Sequence, residues 1–364
     1  MHAYYAGSWR IHLRRSASAV TSLDVARAAG VSQSAVSRAY TPGASIAPET
    51  RDHILAVAQA LGYNPRPALR TGSGNALPAV AIVMADITNP FYPEVLEAFA
   101  LRLREHDLVA QLYCVPRGVE VDTVIPELFH HRVAGVVVTS ATLSSDLART
   151  CRERRLPVVL FNRSVPSSDV TSVACDNYAG GRQVAELLLR SGHDRIAFLA
   201  GREDTSTNRE RERGLRDGLA AENREVFARE VGFYTYERAL DATRRLMALK
   251  RRPDAIFCAN DIMALAAIDV VSREAGLRIP DDVSIVGFDD IAMAAWPAYR
   301  LTTVRQRVEV MIDETIELLH RLMANPESAG VTRLITGTLI ERATARPSTP
   351  PQLLENGTYR ARKS

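Results

Sequence analysis

The chain lacks several features that would assign it to a common class. No apolar run is long enough to span a bilayer, although 46% of the 364 residues are hydrophobic. Residues 1–19 carry arginines but lack the apolar stretch of a secretory signal, so we interpret them as a disordered basic arm. The four cysteines are scattered without CxxC or metal-ligand spacing, which predicts structural thiols in a cytoplasmic protein and no metal site.

Catalytic motifs are missing as well. No GxGxxG follows a strand, and neither a Walker loop nor an HExxH pair occurs. Asp289 and Asp290 are adjacent carboxylates, but neighbouring side chains at a strand end diverge and do not suit a general acid/base dyad. The sequence therefore predicts a protein that is not an enzyme and uses no cofactor.

Charge is unevenly distributed along the chain, whose formal net charge is +3. Residues 1–74 contain eight arginines and three acidic residues, so this part carries +5 and the remainder carries −2. Such a concentration of positive charge predicts a salt-sensitive attraction to phosphates. A basic segment can also serve solubility alone, so its meaning depends on the helices beside it.

Residues 20–40 have the layout of two short helices joined at a glycine. Thr21 or Ser22 can cap the first helix, whose inward residues would be Leu23, Val25, Ala26 and Ala29. Gly30 ends that helix, and Ser32 can cap the second. If Val36 and Ala39 face inward, the outward side chains of the second helix are Gln33, Ser34, Ser37 and Arg38.

Short polar side chains with one arginine at an exposed helix suit hydrogen bonding to base edges and phosphates in a major groove. An ordinary solvated helix pair would show the same pattern. A third helix is predicted from Pro48 to about Leu61, because proline suits a first turn and Glu49 suits the helix N-terminal dipole. Its apolar stripe would close a three-helix headpiece over residues 20–63.

Three segments of this headpiece carry a family resemblance. VARAAGVSQSAVSRAY at residues 25–40, the helix start APETRDHI and the ending LGYNP look like the headpiece of the lactose-repressor and galactose-repressor family of bacterial transcription regulators. The resemblance implies a homodimeric repressor on a roughly palindromic double-stranded operator, with recognition helices in major grooves roughly 34 Å apart. We expect base contacts from Gln33, Ser34 and Arg38, and phosphate contacts from Thr21, Ser32 and Ser37.

Residues 64–78, NPRPALRTGSGNALP, are typical of a linker. The resemblance implies a hinge that becomes helical on DNA and wedges a leucine into the minor groove. Gly72 stands at that leucine's position, and glycine weakens a helix and supplies no wedge. Either Leu69 substitutes, with Arg70 beside it on the DNA, or the hinge is looser. Ala47 also replaces the capping serine that is common before the third helix.

From residue 79 to residue 344, short apolar strands alternate with helical stretches, which predicts parallel sheets covered by helices on both faces. The length of this α/β region favours two lobes. The resemblance implies an arrangement similar to periplasmic sugar-binding proteins, with crossovers between lobes near 163–178 and 290–306. Residues 345–364 are proline-rich and lack heptads, so a flexible tail and a dimer are expected, not a tetramerising coiled coil.

Polar side chains follow several of the predicted strands. Ligands of open parallel sheets bind beyond the carboxyl ends of strands, so convergence of such side chains would form a polar pocket. Each can equally be a helix cap, and we interpret Asp261 and Asp290 as caps. Phe91 fits a hydrophobic core as well as it fits a stacking platform. The helices at 91–105 and 308–323 are candidate dimer faces, or each is covered within its own lobe.

Matching to the family completes a candidate effector site. Arg211 stands three residues before Gly214 and looks like the ligand-binding arginine, although most charges of residues 208–213 must face solvent. Tyr234 looks like the aromatic platform. The whole effector-binding set is Phe91, Tyr92, Asn162, Arg211, Tyr234, Asn260 and Asp289. Stacking with a charged clamp fits a sugar or sugar acid better than a purine. A solute-binding protein of sugar transport could use this core, but it would have no use for the helix-turn-helix.

Overall fold

The computed structural model describes residues 22–40, 44–61, 63, 77–115, 119, 121–129, 133–139, 144–163 and 170–347. The predicted basic arm and nearly all of the predicted hinge lie outside these residues, and so do Thr21, Leu69, Arg70 and Gly72. The chain forms two compact units, Met1–Arg70 and Thr71–Ser364. The first unit is called the headpiece and the second the body.

The described part of the headpiece consists of α1 (Ser22–Ala28), α2 (Gln33–Ala39) and α3 (Pro48–Ala60). Gly30 follows α1 with φ +67°, a left-handed conformation that glycine adopts without strain. The Ser32 hydroxyl accepts the Ala35 N–H at 3.2 Å, which confirms the predicted cap of α2. Ala47 provides no side-chain cap to α3, as the sequence indicates.

Apolar residues of all three helices and of the turn after α1 form the headpiece core, namely Val25, Ala26, Ala29, Val36, Ala39, Ile54 and Ala58. The prediction that Leu23 also faces inward is wrong, since Leu23 is 50% exposed. An α-helix turns about 100° per residue, so Leu23 falls outside the narrow arc that Val25, Ala26 and Ala29 share.

The first lobe of the body is built on a six-stranded sheet of order β11-β5-β4-β3-β1-β2, in which the strand pairs are parallel. Its strands are β1 (Ala79–Met84), β2 (Val109–Cys114), β3 (Val133–Thr139), β4 (Val158–Phe161), β5 (Thr171–Cys175) and β11 (Thr332–Ile335). Its helices are α4 (Phe91–Glu105), α5 (Ile125–Leu128), α6 (Ser145–Glu153) and α11 (Val308–Ala324), with a 3-10 turn at Val121–Thr123. The central strands are buried, as continuous Val/Ile/Leu runs require.

The second lobe is built on a sheet of order β12-β10-β9-β8-β6-β7, parallel except that β12 runs antiparallel to β10. Its strands are β6 (Ile196–Ala200), β7 (Ala228–Val231), β8 (Ala255–Cys258), β9 (Ser284–Asp289), β10 (Thr302–Arg305) and β12 (Thr338–Ile340). Its helices are α7 (Asn177–Arg190), α8 (Ser206–Ala220), α9 (Tyr236–Met247) and α10 (Asp261–Asp269), with a π-turn at Val270–Glu274 and a 3-10 turn at Ala292–Ala295.

Within the part of the chain that the structure describes, the backbone crosses between the lobes three times. The first crossover leads from Cys175 into α7, the second leads from Arg305 into α11, and the third joins β11 to β12. The sequence analysis missed the third crossover, because TRLI and TLI are short, partly exposed strands that lack a continuous apolar run.

The predicted start of the tail at residue 345 is also wrong. Ala345 is buried, and the Arg346 side chain donates hydrogen bonds to the carbonyl oxygens of Pro280 and Asp281. The body therefore continues at least to Arg346, because these contacts attach the segment to the second lobe. Within the described residues, no helix combines the length and apolar character needed to cross a bilayer.

Candidate nucleic-acid interface and interlobe site

The outward face of α2 carries the polar residues that the sequence places there. Gln33, Ser34, Ser37 and Arg38 are all exposed. The Gln33 side-chain amide donates to the Ser22 hydroxyl at 3.0 Å, and the hydroxyls of Ser32 and Ser34 lie 2.9 Å apart. The structure thus brings this predicted set together as one surface of donors and acceptors.

Arg38 contributes the positive charge of this surface. Within the described headpiece residues, no carboxylate pairs with its guanidinium, whereas Arg27 on α1 lies 3.8 Å from Asp24. The Arg51 side chain donates to the Ala39 carbonyl at 2.8 Å and thereby fastens the end of α2 to α3. The face is therefore held on a packed scaffold and can meet an anionic partner without first breaking an ion pair.

A buried ion pair, Arg211–Asp289, lies between α8 and the end of β9 in the body. The Arg211 guanidinium donates to the Asp289 carboxylate at 3.1 Å, and the two side chains are only 3% and 6% exposed. The same guanidinium donates to the Asn177 side chain at 2.8 Å and to the Ala259 carbonyl, and it lies 3.6 Å over the Phe288 ring. Arg211 thus points inward, while its α8 neighbours form surface ion pairs, such as Glu210 with Arg213.

Charge and burial compete at Asp289. Burial raises the pKa of the Asp289 carboxyl above its ordinary value, and the Arg211 guanidinium opposes that rise. The Gln306 side chain also donates to this carboxylate, at 2.7 Å. The carboxylate therefore already has two side-chain partners, and the charge of Arg211 is compensated within the protein.

Asp261 and Asp290 are not helix caps, which corrects the sequence interpretation. Asn260 takes the cap position of α10 and accepts the Met263 N–H, because the residue before the first turn supplies the capping acceptor. The Asp261 carboxylate instead accepts the Thr303 hydroxyl at 2.6 Å and the Ile291 N–H at 2.9 Å. Burial raises the pKa of Asp261 well above its ordinary value. Asp290 forms salt bridges with two arginines, Arg305 and Arg342.

The first lobe contributes Asn162 and Arg163, directly after β4. Asn162 is buried with φ +59°, and its side-chain oxygen has no hydrogen-bond partner among the described residues. Arg163 is also buried and donates to the Asn162 carbonyl at 2.9 Å and to the Thr207 hydroxyl at 3.2 Å. Because Thr207 belongs to α8 of the second lobe, Arg163 connects the two lobes across the cleft.

Aromatic residues approach the cleft from both lobes. Burial raises the pKa of the Tyr92 hydroxyl, while the nearby Arg163 guanidinium lowers it. Phe91 is buried in the hydrophobic core, with its ring centroid 5.3 Å from that of Tyr92. The Tyr234 hydroxyl lies 3.0 Å from the Thr207 hydroxyl. A Cβ on Gly201 would lie 2.1 Å from the Tyr234 ring, so only glycine lets the ring lie there.

The sequence analysis missed three residues of this cleft. Arg163 was signalled by its position beside Asn162, and Gln306 by its position after a strand. Thr207 carried no such signal. Among the described side chains, four buried polar atoms of the cleft have no hydrogen-bond partner, namely Asn162 Oδ1, Arg163 Nε, Asn260 Nδ2 and Gln306 Oε1. Buried polar groups are normally paired, so these atoms indicate a place for a polar ligand. The described residues contain no cluster of three potential metal ligands.

Comparison with known proteins identifies both units. Residues 21–66 match the family model described as bacterial regulatory proteins, lacI family, and residues 185–345 match the periplasmic binding protein-like domain. The HTH-type transcriptional regulator CelR of Thermobifida fusca is 33% identical over 304 residues, which cover 81% of this chain and 89% of CelR. The HTH-type transcriptional repressor PurR of Photobacterium profundum is 32% identical over 305 residues, covering 81% of this chain and 90% of PurR.

A solved structure agrees with these sequence matches. The structure described as a transcriptional regulator CelR-cellobiose complex has a TM-score of 0.67 and 30% identity, and the match covers 90% of this chain and all of that one. The predicted fold class, a helix-turn-helix headpiece with a two-lobed α/β body, is thereby confirmed. The chain belongs to the lacI family of bacterial regulatory proteins, a family of DNA-binding transcription regulators.

Proposed function

We propose that this regulator is a homodimeric repressor that reads a roughly palindromic operator and responds to a small polyhydroxylated effector bound between its lobes. The observation that carries the proposal is the exposed face of α2, which presents donors, acceptors and an arginine that pairs with no carboxylate of the described headpiece residues. A transport protein that used the same two lobes would have no use for this face. Such a regulator acts where the DNA is, at the nucleoid in the cytoplasm.

The proposed contacts to DNA follow from the exposed positions on α2. Gln33, Ser34 and Arg38 would meet base edges, because amide and guanidinium groups form paired hydrogen bonds with adenine and guanine in the major groove. Ser32 and Ser37 would contact phosphates, which position the helix without specifying sequence. Thr21, Leu69 and Arg70 are proposed as further DNA contacts on the family resemblance alone.

Unpartnered polar atoms in the cleft support the proposed effector class. Asn162 and Gln306 offer acceptors, whereas Arg163 and Asn260 offer donors. Hydroxyl groups both donate and accept, so a sugar can satisfy both kinds of atom, whereas a carboxylate only accepts. Arg163 is not paired with a carboxylate among the described residues, which also leaves room for a sugar acid. The proposed effector contacts are Phe91, Tyr92, Asn162, Arg163, Arg211, Tyr234, Asn260, Asp289 and Gln306.

Exposed apolar surface supports the proposed homodimer. Leu101 on α4 is 62% exposed, and Val109 and Leu112 on the edge strand β2 are also exposed. The apolar face of α11, by contrast, is buried against the sheet of its own lobe. We therefore assign the dimer face to α4 and β2. Trp296 in the second lobe is 51% exposed beside exposed alanines and a proline. The backbone N–H of Ala292, four residues earlier, donates to Glu94 of α4 at 3.0 Å, so Trp296 would extend this face.

The operator contact is tested with DNA selected from a random library by the unchanged protein. Arg38→Ala is expected to lower specific affinity roughly tenfold to hundredfold, the loss typical of about 1–3 kcal/mol per base-reading arginine. Arg27→Ala is the matched control, because Arg27 is an exposed arginine of the same unit that lies off α2. Full specific binding by Arg38→Ala at moderate salt would contradict the assignment.

The effector is tested by thermal unfolding of the full chain with cellobiose, D-ribose, D-glucuronate and adenine, followed by operator titration with each compound that binds. A ligand at a hundredfold excess over its Kd stabilises by about 2.7 kcal/mol, which raises Tm by about 5–10 °C in a body of this size. The expected result is a shift with a sugar or sugar acid and a changed operator affinity. If none of the four compounds shifts Tm while specific DNA binding persists, the proposed effector class is wrong and the DNA-binding role stands.

A further inference from the structure

Four buried polar side chains of the body are linked by hydrogen bonds into a row, which we call the buried row. Asn177 accepts from the Arg211 guanidinium at 2.8 Å, Arg211 donates to Asp289 at 3.1 Å, and Gln306 donates to the same carboxylate oxygen at 2.7 Å. All four residues are buried. These four side chains must therefore satisfy one another's hydrogen bonds, because water has little access to them.

Both ends of the buried row stand at interlobe crossovers. Asn177 is the first residue of α7, two residues after the end of β5, and its side-chain amide donates to the Cys175 carbonyl at 2.9 Å. Gln306 directly follows β10, and its backbone N–H donates weakly to the Asp289 carbonyl at 3.5 Å. The ion pair is thus hydrogen-bonded to one residue in each of the first two segments that join the lobes.

Close packing of α7 on α8 makes the first of these contacts possible. A Cβ on Gly181 would lie 2.3 Å from the Arg211 carbonyl, and a Cβ on Gly214 would lie 2.2 Å from the Tyr178 carbonyl. Only glycine at both positions allows the two helices to approach this closely. This close packing fixes the start of α7 within hydrogen-bonding distance of Arg211. The contact is part of the buried helix–helix interface.

We propose that Asn177 is a positioning residue that couples the Arg211–Asp289 pair to the interlobe crossovers, with Gln306 as its counterpart at the other end. Rotation of one lobe relative to the other must change backbone angles at the crossovers, and the buried row holds both crossovers to the same ion pair. A ligand that forms hydrogen bonds with Arg211 or Asp289 would therefore change the hydrogen bonds to Asn177 and Gln306, and so affect the first two crossovers together. The link to a ligand rests on the proposed function, in which Arg211 contacts the effector.

Amide hydrogen exchange of the full chain without ligand tests the coupling. In Asn177→Ala, exchange in residues 175–181 is expected to accelerate about tenfold, the change that follows loss of one hydrogen bond to a charged group. Exchange in residues 305–309, at the opposite end of the row, is expected to accelerate severalfold. Tyr178→Phe is the matched control: it removes a hydrogen bond to Asp217 from the same helical turn and lies outside the row. It should leave residues 305–309 unchanged.

A merely structural role for Asn177 at the start of α7 would accelerate exchange locally and leave residues 305–309 as they are. That result overturns the proposal. Gln306→Glu gives a reciprocal test if Asn177→Ala does not fold, since it replaces the donor to Asp289 by a carboxylate. It should accelerate exchange in residues 175–181, and unchanged exchange there would equally overturn the coupling. Because both measurements use the protein without ligand, failure of the effector screen leaves this test intact.

Discussion

Breaking the Arg211–Asp289 pair should destabilise the body far more than an exposed ion pair would. Both side chains are almost completely buried, so removing one partner leaves an uncompensated charge with little access to water. Arg211→Met leaves the Asp289 carboxylate with Gln306 as its remaining side-chain partner among the described residues, and Asp289→Asn leaves a buried guanidinium. Each single variant is expected to lose about 3–5 kcal/mol in the free energy of unfolding.

The double variant separates the ion pair from the rest of the site. Arg211→Met with Asp289→Asn removes both charges, so its loss should be smaller than the sum of the single losses by about 2 kcal/mol or more. Urea unfolding followed by circular dichroism measures all four proteins of this cycle. Strictly additive losses would refute the reasoning, because they would mean that neither charge depends on the other. If Arg211 and Asp289 contact the effector as proposed, none of the three variants should show a ligand-induced rise in Tm.

The pH dependence of Arg211→Met gives an independent check. Burial already raises the pKa of Asp289, and loss of the arginine that opposes this rise must raise the pKa further. A carboxyl with a raised folded-state pKa destabilises the protein above that pKa, and the penalty disappears as the pH falls toward its unfolded-state value. The stability deficit of Arg211→Met should therefore shrink on acidification, whereas the deficit of Asp289→Asn has no such carboxyl to protonate.

Two further predictions concern the fold and the assembly. Burial raises the pKa of Asp254, but His193 and the N–H groups of Arg195 and Asp194 outweigh it and lower the pKa to about 2. Asp254→Asn should thus lower the free energy of unfolding at pH 7, and its difference from the unchanged protein in urea unfolding should shrink as the pH falls from about 4 to about 2. If the proposed homodimer forms through α4 and β2, Leu101→Asp should give a monomer in analytical ultracentrifugation. Leu334→Asp is the control, because Leu334 is similarly exposed but lies on β11, at the opposite edge of the sheet from β2, and this variant should stay dimeric. Dissociation of both variants would contradict the assigned face.

Local patterns predicted much of the headpiece. The glycine after α1, the serine cap of α2 and the outward face with Gln33 and Arg38 depend on residues within one or two helical turns of each other, and all three are present. Leu23 shows the limit of the approach. Apolar spacing indicates that a residue belongs near a helical stripe, but the width of the buried arc depends on how closely α2 and α3 cover α1.

In the body, too, the sequence predicted some elements and missed others. Long Val/Ile/Leu runs predicted the buried strands, whereas β11 and β12 escaped notice because edge strands of three or four residues carry too few buried positions. Asn260 and Asp261 are neighbours with similar polar side chains. Their different roles follow from where α10 begins, because the Asn260 amide then caps the helix and the Asp261 carboxylate faces Thr303.

The sequence by itself determined the class of this protein and the polar outward face of α2, because both depend on residues close together along the chain. The tertiary structure alone decided that Asn177, Arg211, Asp289 and Gln306 meet, since Asn177 and Arg211 are 34 residues apart and Arg211 and Asp289 are 78 apart. Their contact requires that the strand ends of both sheets and the interlobe crossovers lie at one edge of the body. It also requires that α7 and α8 pack closely at their glycines. No short-range pattern records such an arrangement.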